Sequence, residues 1–199
     1  MKTLSLSKTI AVSLGALIVV LAVVFTLKAQ TPTLNLKGGS KLVYAMQSSS
    51  VISDVTVIVN TIVPTISFKW KTSETVYGKV IFSQESYNSG RKISSKLFDD
   101  QKGEVAFFWI SKGMFGELNQ GKTSFALNGS EKMDGVVKAG VEQLEIKVNG
   151  VMKSIEVIHA KSATGTSGAE FYVLNDVNNP LIIKMKTADG GFSLKEITE

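Results

Sequence analysis

The chain contains no cysteine and a single histidine among its 199 residues. Without cysteine it has no disulfides, no thiolate nucleophile, no zinc site built on thiolates and no lipidated cysteine of the kind that anchors bacterial lipoproteins. With His159 alone, a catalytic triad or a multi-histidine metal site has one available centre. Few ways remain to pair a nucleophile with a base, and we therefore expect no enzyme activity, no bound metal and no cofactor.

Arginine is equally scarce, since Arg91 is the only one. The formal net charge is +5, but Lys2, Lys8 and Lys28 near the N-terminus account for three of these charges. The remaining lysines are scattered along the chain, whereas nucleic-acid-binding proteins concentrate Lys and Arg on one face. The composition therefore argues against a nucleic-acid partner.

The N-terminal part carries a long apolar run. From Thr9 to Leu27 no residue is charged, and Lys8 and Lys28 flank the run. At about 1.5 Å per residue, a helix of this length measures roughly 28 Å, close to the thickness of the hydrocarbon core of a bilayer. The positive charges before the run place the N-terminus in the cytoplasm and the rest of the chain across the membrane. We expect the membrane to be a partner of this segment.

Two forms of the export segment remain open. The apolar run exceeds the roughly 7 to 15 residues usual for a signal peptide, which favours an uncleaved signal anchor. Ala29 fits the small residue before a cleavage site, which favours a cleaved signal peptide with Gln30 as the mature start. Residues 1–29 are thus a signal anchor or signal peptide, residues 30–40 a linker and residues 41–199 an exported β-rich domain. We expect this domain to face the periplasm from the inner membrane, or to be periplasmic after cleavage.

Short segments of β-branched and aromatic residues recur between turn residues throughout the predicted domain. The clearest pair of strands flanks Asn149 and Gly150, because Leu144, Ile146 and Val148 alternate with charged residues and Asn-Gly favours a type I′ turn. The predicted strands span residues 41–47, 51–63, 65–71, 76–82, 104–110, 123–127, 143–148, 151–160, 170–174, 181–186 and 192–197.

Only residues 111–120 show a helical pattern. Ser111 can cap a helix, Met114, Phe115 and Leu118 fall on one side of it, and Gly121 can end it. Many antiparallel strands with one short helix predict an all-β domain. We expect an open or half-open antiparallel barrel, with a sandwich as the alternative, preceded by one N-terminal hydrophobic helix.

Residues 116–123 match the phosphate-binding pattern G-x-x-x-x-G-K-S/T, with Gly116, Gly121, Lys122 and Thr123 at its fixed positions. A phosphate-binding loop needs a helix that begins at the Lys-Thr pair, so that its N–H groups face the phosphates. Here a strand pattern follows instead. We interpret the segment as the end of a helix and a turn into a strand, and we predict no nucleotide binding.

His159 shares its strand parity with Ile155 and Val157. We interpret it as a histidine near a strand end, with ordinary hydrogen bonds to solvent or backbone, rather than as a catalytic base.

The supply of large apolar side chains is the remaining clue to function. Ile66, Phe68 and Trp70 form a row on one face of a predicted strand, and residues 106–110 are apolar on both strand faces. A strand covered on both sides by sheet and helix explains the second feature. A cavity for a lipid-like ligand is the sharper explanation. Its lining candidates are Phe68, Trp70, Phe107, Trp109 and Phe115.

Residues 172–184, with the sequence YVLNDVNNPLIIK, form a strand pattern, an Asn-rich turn closed by Pro180 and a second strand pattern. This segment resembles one in exported β-domains of unknown function. The broad β-rich pattern, with one short helix, an export segment and no catalytic set, resembles the lipoprotein-carrier type of half-barrel of Gram-negative envelopes. The resemblance implies an open barrel whose concave face binds acyl chains. The missing lipobox cysteine departs from carriers that are themselves lipoproteins.

Two functions follow as expectations. The first is a non-enzymatic cell-envelope protein that binds an apolar or lipid-like ligand, such as an acyl chain, in a β-structured cavity. The alternative is a membrane-tethered structural or protein-interaction domain whose partner is an envelope protein.

Overall fold

The computed structural model describes residues 34–48, 51–93, 105–106, 108–127, 133–163, 168–188 and 190–199. These residues belong to the unit that begins at Pro32. The apolar run from Thr9 to Leu27 lies outside the described residues, so the predicted N-terminal helix does too. No helix within the described ranges is long and apolar enough to span a bilayer.

Within the described ranges, twelve strands form one sheet, which confirms that the domain is mostly β. The strands are β1 (Lys41–Ser48), β2 (Val51–Thr61), β3 (Ser67–Lys71), β4 (Tyr77–Ile81), β5 (Lys92–Ile93), β6 (Val105–Ala106), β7 (Lys122–Leu127), β8 (Met133–Val148), β9 (Val151–Ser162), β10 (Glu170–Leu174), β11 (Ile182–Thr187) and β12 (Gly190–Thr198). Their order across the sheet is β4-β3-β2-β1-β12-β11-β10-β9-β8-β7-β5-β6.

Strand β12 closes part of this sheet into a ring. One edge of β12 pairs with β1 along its length. On the other edge, its first residues pair with β11, while Glu196 and Ile197 pair with Lys147 and Val148 of β8. Strands β8 to β12 therefore form a partial ring. Most ladders are antiparallel as predicted, but β12–β8, β5–β6 and β5–β7 are parallel.

The hairpin predicted around Asn149 and Gly150 is confirmed. Strands β8 and β9 pair in register from Val148 and Val151 outward. Both turn residues have positive φ, 51° for Asn149 and 83° for Gly150, as a type I′ turn requires. In β8, Ile146 and Val148 are buried and Lys147 is exposed, which is the predicted alternation.

The described residues contain two short helices where the sequence predicted one. The predicted helix is α2 (Lys112–Asn119), capped by the Ser111 side chain, which accepts a hydrogen bond from the Met114 N–H. The unpredicted helix is α1 (Gln84–Ser89), capped in the same way by Ser83. With six residues, α1 is too short to show a helical period, so the prediction of a single helix was wrong.

The strand predicted at 104–110 is confirmed in part. Among its described residues, Val105–Ala106 are a strand, Trp109 forms an isolated bridge with Leu181, and Phe108 and Ile110 are not in a strand. Glu104 and Phe107 lie outside the described residues. Phe108, Trp109 and Ile110 are all buried. Three consecutive buried side chains show that this segment is covered on both sides, which explains its unbroken apolar run.

Aromatic rings fill the interior beside this segment. Tyr44 stacks on Phe108 with ring centres 4.3 Å apart, and Phe192 packs edge-on against both. Phe68 contacts Trp109 at 5.3 Å between ring centres. Such offset and edge-to-face contacts are the preferred arrangements of buried rings.

Candidate functional site

The predicted ligand-lining aromatics lie in the packed interior. Phe68, Trp109, Phe115 and Trp70 are all buried. The Trp109 indole N–H donates to the Asn179 side-chain oxygen at 2.7 Å, so its one polar group is satisfied inside the protein. Phe107 lies outside the described residues. Phe68 contacts Trp109 at 5.3 Å between ring centres, and Trp70 also borders a surface groove.

Asn179 is a residue whose role the sequence did not predict. It lies in the turn between β10 and β11, which is the predicted Asn-rich turn ahead of Pro180. Its buried side chain fixes Trp109 from a distance of 70 positions in sequence. An asparagine beside a proline indicates a turn, but no local sequence pattern predicts that Trp109 is its hydrogen-bond partner.

The phosphate-binding pattern adopts the predicted alternative structure. Helix α2 ends at Asn119, Gly121 has a φ of +120°, and β7 begins at Lys122. A strand, not a helix, therefore begins at the Lys-Thr pair. Nucleotide binding itself stays a prediction.

Two polar residues of the pattern, Glu117 and Thr123, take part in an ion pair with Arg91 instead. Arg91 Nη1 donates to Glu117 Oε2 at 2.6 Å and to Thr123 Oγ1 at 3.1 Å, and Arg91 Nη2 also contacts Glu117 Oε1. Thr123 Oγ1 donates to Glu117 Oε2 at 2.9 Å. The hydrogen bond from Arg91, aided by that from Thr123, lowers the pKa of Glu117 to about 2. This pair joins the start of β7 to α2 and to the segment before β5.

A charged cluster surrounds the single histidine. In the ladders from β8 to β11, His159 lies opposite Gly140 and Tyr172, and Tyr172 lies opposite Lys184. The side chains of His159, Tyr172 and Lys184 therefore share a face. The His159 ring stacks on Tyr172 with ring centres 4.3 Å apart. The Lys184 ammonium lies over the Tyr172 ring, 5.3 Å from its centre.

Carboxylates complete the histidine cluster. His159 Nδ1 donates to Glu142 at 2.5 Å, so its partner is a side chain rather than solvent or backbone, which corrects the sequence-based expectation. His159 Nε2 is buried without a hydrogen bond among the described residues and lies 3.9 Å from Glu170. Burial, then the charges of Glu170 and Glu142, raises the pKa of Tyr172. No group of residues that could hold a metal ion occurs in the described ranges.

A groove of about 480 Å³ adjoins this cluster and is called here the Lys184 groove. It lies across β11, β12, β1 and β2. Its lining comprises Ala45, Gln47, Ile52, Lys184, Met185, Lys186, Thr187, Ala188, Gly190, Gly191, Phe192 and Ser193.

A second groove, of about 320 Å³, crosses the other end of the sheet and is called here the Trp70 groove. Residues 56, 58, 69, 71 and 77 point outward, whereas Trp70 and Gly78 point inward, so the backbone of these two forms the floor. Its lining comprises Thr56, Ile58, Lys69, Trp70, Lys71, Ser73, Glu74, Tyr77 and Gly78.

The Trp70 groove reaches β4, which ends the sheet. No described strand pairs with the outer edge of β4. Tyr77 is 71% exposed and Ile81 is 51% exposed, with the exposed Lys79 between them. The sequence predicted a strand at 76–82, but not that it lies at an edge, because strand order depends on pairings distant in sequence.

Comparison with family models, with curated proteins and with solved structures found no match. The resemblance to lipoprotein carriers therefore stays a prediction.

Proposed function

We propose that this protein is a non-enzymatic domain of the cell envelope that binds a partner protein by adding an extended segment of that partner to the free edge of β4. The observation that carries the proposal is the outer edge of β4, with which no strand of the described residues pairs. In this proposal the sheet is a half-open barrel, in which the ring of β8 to β12 is closed and β4 is the open side.

The backbone of β4 is oriented for strand addition. Phe82 N–H bonds to Ile66 O, and Thr72 N–H bonds to Val76 O. Because bonded and non-bonded pairs alternate in an antiparallel ladder, Gly78 and Val80 also bond to β3. The N–H and C=O groups of Tyr77, Lys79 and Ile81 therefore point away from β3. Such a row of unpaired groups is a template for another strand.

The side chains at this edge favour a partner of definite chemistry. Tyr77, Lys79 and Ile81 alternate with inward-facing residues, so all three lie on the outer face. Lys69 and Lys71 on β3 add positive charge, and Glu74, which pairs with Lys71 at 2.7 Å, offsets one of these charges. The complementary segment carries an acidic side chain opposite Lys79 and apolar side chains opposite Tyr77 and Ile81.

The same charge pattern disfavours a second copy of this chain as the occupant. A symmetric antiparallel pair of β4 edges centred on Lys79 would place the two lysines directly opposite each other. Like charges at directly opposed positions are destabilising. An edge lysine of this kind is a common protection against self-association.

The binding experiment uses the full-length chain in lipid nanodiscs and a seven-residue peptide, Thr-Ile-Thr-Glu-Thr-Ile-Thr, followed by amide NMR. We expect shift changes that saturate and that cluster on Tyr77, Lys79 and Ile81. The matched control peptide has Lys in place of Glu and should bind at least tenfold more weakly. Equal binding of both peptides, or shifts that appear on raising the protein concentration alone, would contradict the proposal.

A proline substitution separates the edge from the rest of the fold. Ile81→Pro removes an N–H that points to the free edge and leaves the bonds between β3 and β4 in place. We expect loss of the peptide shifts with little change in the thermal unfolding midpoint. Ile58→Ala, in the middle of the same face, is the control and should bind the peptide normally.

The envelope location rests on the run from Thr9 to Leu27 and has its own test. Because the chain has no cysteine, Met152→Cys creates a unique thiol at the exposed tip of the β8–β9 hairpin. In spheroplasts we expect a membrane-impermeant maleimide to label it, and the protein to fractionate with membranes if the segment is uncleaved. A thiol that reacts only after lysis would place the domain in the cytoplasm and overturn this part of the proposal.

A further inference from the structure

The Lys184 groove has a bare floor between two raised walls. Ser193 lies directly between Lys184 and Ala45, and Gly191 directly between Lys186 and Gln47. Small residues thus occupy the two outward positions of β12 that line the groove. At Gly191 an added Cβ would lie 2.2 Å from the carbonyl oxygen of Met185, so the floor stays open at this point.

The lysines on one wall lack carboxylate partners. Lys184 and Lys186 form no ion pair with any described residue, whereas Lys161 pairs with Glu170 at 3.5 Å and Lys195 with Asp54 at 3.0 Å. Glu170 lies opposite Lys186 in the ladder, but its oxygens contact Lys161 and Tyr172. Two residues apart on one face of β11, the lysines are separated by about 7 Å along the strand. That spacing allows both ammonium groups to contact one oxyanion.

The opposite wall carries an exposed isoleucine. Ile52, on β2, is 72% exposed and lines the groove. Ile52 pairs with Gln47, and Gln47 pairs with Gly191, so these two residues lie between Ile52 and Lys186. From β11 to β2 there are three strand spacings, or about 14 Å. An exposed isoleucine beside a bare floor offers a surface for a hydrocarbon chain, because burying apolar area on binding is favourable.

From this arrangement we infer that the Lys184 groove is a binding site for a single-chain amphiphile with a carboxylate headgroup. Its headgroup lies between Lys184 and Lys186, and its chain crosses Gly191 and Gln47 towards Ile52, with Ser193 and Ala45 alongside. The site shares no residue with the edge of β4, so the inference does not depend on the proposed function. It keeps the lipid-like ligand expected from the sequence, but at the outer face rather than among the interior aromatics.

The test titrates decanoate into the full-length protein in phosphatidylcholine nanodiscs and follows the methyl NMR signals of Ala45 and Ile52. We expect shifts that saturate with decanoate. Decanol, which lacks the charge, and inorganic phosphate, which lacks the chain, should each bind at least tenfold more weakly. Equal binding of decanol, binding of phosphate alone, or shifts that never saturate would overturn the inference.

Three variants locate the site. Lys184→Gln combined with Lys186→Gln should weaken decanoate binding at least tenfold. Lys122→Gln combined with Lys153→Gln, on β7 and β9 outside the groove, is the charge-matched control and should bind as the parent does. Ser193→Leu fills the floor while keeping both lysines, and it should also abolish binding. If the thermal unfolding midpoint of the double variant falls, decanoate binding is measured on Lys186→Gln alone. Lys186 is exposed, so this single substitution should not disturb the fold. Unchanged affinity in that variant would contradict the role of the lysines.

Discussion

Trp109 and Tyr77 are both aromatic residues of this domain, yet Trp109 is fully buried and Tyr77 is 71% exposed. Trp109 packs on Phe68 and donates its N–H to Asn179. Tyr77 stands on the outer face of an edge strand. The contrast shows that the abundance of aromatic residues mainly builds the interior of this protein. Its candidate binding surfaces instead use a few side chains on the outward face of the sheet.

The largest effect of a substitution should therefore come from the interior. Trp109→Ala removes a buried ring and leaves the Asn179 oxygen without its donor. We expect the free energy of unfolding to fall by about 3–5 kcal/mol. Tyr77→Ala is the surface counterpart and should change it by less than about 0.5 kcal/mol. Urea denaturation followed by far-UV circular dichroism measures both values. Similar losses in the two variants would mean that the interior and the outer face do not differ in this way.

The sequence predicted strands well wherever local signals are strong. Alternation along Ile146 and Val148, followed by Asn149 and Gly150, was enough to place the β8–β9 hairpin. It did not show that β8 extends back to Met133, because Gly135 and Gly140 interrupt the β-branched pattern. A register shift between Lys138 and Gly140 also breaks the period of two.

The candidate sites were harder to predict than the strands. A period of two shows which residues share a face, but not what covers that face. Trp70 and Tyr77 belong to adjacent strands, and only the strand order shows that one is enclosed and the other lies at an edge. The Lys184 groove likewise combines β11 and β2, which are far apart in sequence. Such pairings depend on tertiary packing and leave no local pattern.

An exposed turn sharpens the comparison, because exposure alone does not make a position tolerant. Gly150 is exposed, but its φ of +83° is a conformation that β-branched residues strongly disfavour. We expect Gly150→Val to cost on the order of 1 kcal/mol or more in the free energy of unfolding, measured by thermal denaturation. Gly150→Asn is the control and should cost less, since Asn tolerates positive φ. Equal costs would show that φ is not the cause.

The half-exposed ion pair of Arg91 and Glu117 should have a smaller, pH-dependent effect. The pKa of Glu117 is lowered to about 2 in the folded state, from an ordinary value of 4.5. Its contribution to stability is therefore complete above about pH 4.5 and is lost as the pH falls towards 2. Because both side chains are partly exposed, we expect at most about 1 kcal/mol. In Glu117→Gln, the free energy of unfolding measured between these pH values should lack this pH-dependent loss. If the variant shows the same pH profile as the parent, the ion pair is not the cause of the loss.

The smallest effect is expected at Lys122, in the segment that matches a phosphate-binding pattern. Lys122 is exposed and begins β7, so Lys122→Ala should change the free energy of unfolding by less than about 0.5 kcal/mol. Since no helix begins at the Lys-Thr pair, we also expect no ATP binding by calorimetry in either protein. Thr123→Ala is the control: it removes a partly buried hydrogen bond to Glu117 and should destabilise the fold without affecting nucleotide binding. ATP binding that Lys122→Ala abolishes would show that this surface segment binds phosphate despite its strand structure.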